Sequence, residues 1–129
     1  MYRSLNIELA EKVLKQVTEH PETHNQEEWG YRAPSCGTQA CLAGWAVHFT
    51  YPDLVMNWRS GPYGEEGAET ASSVTLDGRR VSIADLAAQV LNLDEADADD
   101  LFLTLDRESA IELLEQYIEE AKACAASAS

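Results

Sequence analysis

The chain has 129 residues, 45% of them hydrophobic, and a formal net charge of −14. That length and apolar share support one domain with its own core and exclude global disorder. No run approaches the roughly 18 apolar residues of a membrane span, and Met1-Tyr2-Arg3-Ser4-Leu5-Asn6 lacks the apolar stretch of a secretion leader.

The expected compartment is therefore the cytoplasm. The charge is polarised: residues 94–129 hold 11 acids and 2 bases, against 12 acids and 7 bases in residues 1–93. An acidic field of this kind repels nucleic-acid phosphates and anionic lipids, so neither is an expected partner. A basic protein would complement it, as would a role in mimicking nucleic-acid charge through the 94–120 surface. Three cysteines, an odd number, argue against a disulfide scaffold.

In chain order, residues 4–19 read as a helix with Ser4 as N-cap. Leu5, Leu9, Ala10, Val13, Leu14 and Val17 recur at helical spacing. Residues 21–35 read as irregular, with Trp29 and Tyr31 packing a loop on the core. Residues 39–50 read as a second helix, capped by Thr38 and apolar on most sides. Its Gly44 costs roughly 1 kcal/mol against alanine in a helix interior, so a close backbone approach is expected there.

Residues 60–73, rich in glycine, read as a loop. Val74–Val81 reads as a β-hairpin turning at Asp77-Gly78, with Val74 facing Val81. Ser82, Asp94 and Asp106 are N-cap candidates for three further helices. The expected fold is mainly α: about five helices with a small hairpin near residues 74–81. It forms one domain over residues 1–122, with residues 123–129 a fraying Ala/Ser-rich tail.

The densest motif is Cys36-Gly37-Thr38-x-x-Cys41-Leu42-Ala43-Gly44-Trp45-Ala46. It resembles a motif in a diffuse group of small bacterial and phage proteins, especially actinobacterial ones. Pro21–Gln26 with Trp29, and Ala87–Leu93 with Leu101-Phe102, resemble flanking segments of that group, so the resemblance spans roughly residues 5–115. It implies a phage or mobile-element protein working inside a bacterial host cell. It carries no activity and assigns no catalytic role to any residue.

Read chemically, Cys36, Cys41 and His24 are weak candidates for a metal site that lacks a fourth ligand. A bridge between Cys36 and Cys41 is sterically conceivable, and a reducing compartment opposes it. The commoner state of such a pair is two reduced thiols packed as small hydrophobes. A catalytic thiol near a helix N-terminus needs a base within hydrogen-bond reach. His48 lies about 10 Å along the helix from Cys41. Asp97-x-Asp99 opens like a calcium loop, but Leu101 and Phe102 stand where a ligand and a glycine belong. With no complete catalytic set and no cofactor motif, the chain reads as a non-enzymatic binding or regulatory protein that contacts a bacterial host protein. Trp58, Tyr63, Arg79 and Arg80 are its candidate binding residues. The alternative is a thiol- or metal-dependent protein using Cys36 and Cys41. Cys36, Gly37, Thr38, Cys41, Gly44 and Trp45 form its structural motif.

Overall fold

The computed structural model describes residues 4–26, 28–33, 37–60, 66–104 and 106–128. The expectation of a mainly helical chain with one hairpin is corrected: five α-helices are joined by two antiparallel sheets, of four and three strands. The strands that the sequence pattern does not show are two to four residues long. That is too short for an alternating apolar pattern to register.

Helix α1 (Ile7–Glu19) starts at Asn6, whose side-chain oxygen accepts from Leu9 N–H at 3.2 Å. Asn6 therefore takes the capping role that the sequence assigns to Ser4. Leu9, Ala10, Val13 and Val17 fill its buried face. A single 3₁₀ turn (Pro21–Thr23) then leads into β1 (Gly30–Ala33) and β2 (Gly37–Gln39). Residues 21–35 are thus partly sheet, and Thr38 is a strand residue rather than a cap.

Helix α2 (Leu42–Thr50) is the centre of the core, packed between α1 and α3 (Ile83–Leu91). Its N-cap is Cys41. Beyond it come β3 (Val55–Met56), β4 (Arg59–Ser60), β5 (Glu69–Ala71), β6 (Ser73–Leu76) and β7 (Arg79–Ser82). The four-stranded sheet has the order β2-β1-β5-β4 and the three-stranded sheet the order β3-β6-β7.

The two sheets share one bent hairpin. Val55 and Met56 pair with Thr75 and Val74, while Arg59 and Ser60 pair with Thr70 and Glu69. Residues 57–58 therefore face residues 71–73, a bulge of the kind that kinks a strand and re-aims side chains. Asn57 secures it: its N–H donates to Ser73 O at 3.0 Å, its amide donates to Ser73 Oγ at 3.0 Å, and its Oδ1 accepts from Thr75 at 3.1 Å.

The β6–β7 hairpin matches its sequence pattern. Val74 pairs with Val81, and Asp77 and Gly78 both have positive φ (51° and 78°), as a type I′ turn requires. Ser82 caps α3, Asp94 caps α4 (Glu95–Phe102), and Asp106 accepts from Ser109 N–H at the start of α5 (Arg107–Ala128). Helix α5 runs on through the Ala/Ser-rich residues to Ala128 and packs against α1, where Lys122 Nζ lies 3.1 Å from Glu11. No helix among the described residues is long and apolar enough to cross a membrane.

Candidate binding cleft

The segment before α2 is tied to it by backbone and side chain together. Ala40 N–H donates to Thr23 O, Asn25 N–H to Ala40 O, and Cys41 N–H to Glu28 O, at 2.9–3.0 Å. Gln26, buried, organises the helix start. Its Oε1 accepts from His24 Nε2–H at 2.7 Å and from Leu42 N–H at 3.4 Å, and its amide donates to Leu101 O at 3.3 Å. The Leu42 N–H and the Leu101 carbonyl fix the amide's orientation, so His24 carries its proton on Nε2. His24 is 8% exposed, and its buried Nδ1 has no partner among the described residues. Burial holds its pKa below the ordinary histidine value; the bond to Gln26 opposes that shift, and the Arg107 charge adds to it.

Cys41 is a free thiol, 1% exposed. Burial pushes the thiol up to about 11, against the lowering effect of the Gly44 and Ala43 backbone N–H groups. A thiol so placed is protonated at neutral pH and closed to solvent, so it packs as a small hydrophobe. His24 is committed to Gln26, and no three His, Cys, Asp or Glu side chains among the described residues gather around a common point. Cys36 lies outside the described residues, as does Tyr63.

Gly44 carries the close approach expected of it. A β-carbon built there would enter the van der Waals envelope of the Trp29 carbonyl oxygen and come within 2.7 Å of Ala40 Cβ. Because Gly44 has no side chain, α2 lies directly on the chain entering β1. Next to it Trp45 is half-buried. Its indole N–H donates to Thr23 O at 3.1 Å, and its ring packs edge-on to His48 and tilted against Phe49.

Between α2 and one face of the four-stranded sheet is a cleft of about 230 Å³. From α2 it is lined by Gly44, Trp45, Val47 and His48, and from the strands and their connections by Gly30, Thr38, Leu54, Met56 and Trp58, with Tyr51 at the end of α2. The register puts these groups together. Gly30 pairs with Ala71, and Arg32 with Glu69, which also pairs with Ser60. Alternation then places Gly30, Arg32 and Trp58 on one face. The Arg32 guanidinium stacks 4.3 Å from the Trp58 ring centroid and bonds Glu69 Oε1 at 2.9 Å through both Nε and a terminal nitrogen. A cation on the ring face and an ion pair behind it hold Trp58 in one orientation.

The sequence-stated binding set divides in the structure. Trp58 belongs to the cleft. Arg80 lines a separate groove beyond the bulge, and Arg79 is exposed on β7 and lines neither cavity. Gly30 and Met56 complete the cleft, and Arg32 supports it from outside through the Trp58 ring; the sequence pattern singles out none of the three. Trp29-Gly30-Tyr31, a glycine between two aromatics, was the one local sign of a tight contact there. No protein-family model matches the chain, and neither a curated protein nor a solved structure matches it.

Proposed function

We propose that this protein is a non-enzymatic binding module that captures a single large apolar side chain of a protein partner in the cleft between α2 and the sheet. It would act in the cytoplasm of a bacterial cell. The observation that carries the reading is the cleft itself: preformed, mainly apolar, and lined by two tryptophans and two glycines. Small-molecule sites usually enclose roughly 300–1,000 Å³ and place several polar groups around the ligand. This cleft holds less, and its lining is mainly apolar. A rigid aromatic pocket of side-chain size matches the anchor sites that dominate protein interfaces.

Peptide-library selection tests the proposal. Wild-type bait should enrich sequences sharing one Trp, Phe or Leu anchor, and those peptides should lose binding to Trp58→Ala. A second variant, His48→Trp, adds bulk to the cleft lining from an exposed position on α2. Peptides that bind both variants as well as wild type would place the interface elsewhere.

A further inference from the structure

A second cavity, about 490 Å³, lies at the bulge that joins the two sheets. Arg59 and its cross-strand partner Thr70 project from the sheet face opposite Trp58 and Gly30. Arg80 reaches the same groove from β7, and Ser73 and Ser82, themselves cross-strand partners, line it between them. We propose that this groove is an oxyanion site whose ligand class is a small organic phosphate monoester.

The donor chemistry supports this. Among the described residues Arg59 and Arg80 make no ion pair, although the protein carries a net charge of −14. Ser73 Oγ already accepts from Asn57, and Ser82 Oγ already accepts from Asp85 N–H at 3.4 Å. Each hydroxyl keeps its own proton as a donor. Two guanidinium groups and two hydroxyl donors lining one concavity suit a tetrahedral anion. Glu28 also lines the groove, and its carboxylate limits the charge that the site accepts, favouring one phosphoryl group over a polyphosphate. Trp29, half-buried on the same wall, offers an apolar surface for the organic part of the ester.

The test is a ¹⁵N–¹H NMR titration with inorganic phosphate and with phenyl phosphate, at ionic strength held constant with chloride. The expected result is saturable shifts confined to the amides of residues 57–59, 72–73 and 80–84, with phenyl phosphate the tighter ligand. Arg59→Gln and Arg80→Gln should each weaken binding roughly tenfold. Arg79→Gln, which removes the same charge from the same strand outside the groove, should leave binding nearly intact. Shifts that chloride reproduces, or an equal loss from all three arginine variants, would reduce the site to general surface charge and overturn the proposal. Binding of inorganic phosphate without phenyl phosphate would overturn the ester assignment.

Discussion

Gly44→Ala separates two opposing effects by sign. In an exposed helix interior, alanine in place of glycine stabilises by roughly 1 kcal/mol. Here the added methyl would enter the Trp29 carbonyl oxygen and press on Ala40 Cβ at 2.7 Å. Neither neighbour is the free end of a flexible chain. Trp29 leads into β1, and Ala40 is held by hydrogen bonds with Thr23 and Asn25. Relief requires α2 to move off the sheet, and overpacking of this kind costs about 1–3 kcal/mol beyond any propensity gain. The net expectation is a loss of about 1–3 kcal/mol, equivalent to roughly 4–11 °C in melting temperature for a domain of this size. Urea and thermal unfolding followed by circular dichroism would measure it. Gly30→Ala is the internal comparison, because its β-carbon would meet mainly the mobile end of Met56 at 2.7 Å, and its loss should be smaller. A Gly44→Ala protein as stable as wild type would refute the close-approach account of the motif.

Two other outcomes follow from the buried titratable groups. Cys41 should resist iodoacetamide in the native protein at mildly alkaline pH and become labelled only at the rate of unfolding, as read by peptide mass spectrometry; rapid native labelling would show that the thiol is neither buried nor raised to about 11. The imidazole of His24 should titrate below the ordinary value near 6.5. The unfolded chain then binds its proton at a higher pH than the folded one, so His24 draws stability down as pH falls through about 6.5 and ceases to do so below its folded pKa. Histidine NMR titration checks the first statement and urea unfolding on either side of that window the second; a His24 titrating at or above 6.5 would contradict both.

The parts of the fold legible in the sequence are those set by local chemistry. The Asp77-Gly78 turn needs two positive φ values and uses residue types that tolerate them. Ser82, Asp94 and Asp106 announce three helices because a short side-chain oxygen satisfies a free N–H wherever a helix starts. Thr38 shows the limit of that logic: an ideal cap by composition, it is claimed by pairing with Arg32 in the sheet, and the helix begins after Cys41. Strand β5 pairs with β4 some ten positions earlier and with β1 some forty positions earlier, and short polar stretches carry no periodic trace of such partners. The cleft shares that origin. Trp45 and Trp58 are conspicuous as residues, but their convergence depends on the register of β1, β5 and β4. Arg32 is anonymous until the same register brings it onto the Trp58 ring.

The most direct measurement is a titration with capped amino acids, monitored through the indole N–H resonances of Trp45 and Trp58. N-acetyl-tryptophanamide and N-acetyl-leucinamide should shift both resonances saturably, while N-acetyl-alaninamide, too small to fill about 230 Å³, should not. His48→Trp should abolish the response. Indole resonances that stay unmoved by every ligand, or move equally with alanine, would contradict an anchor-binding cleft.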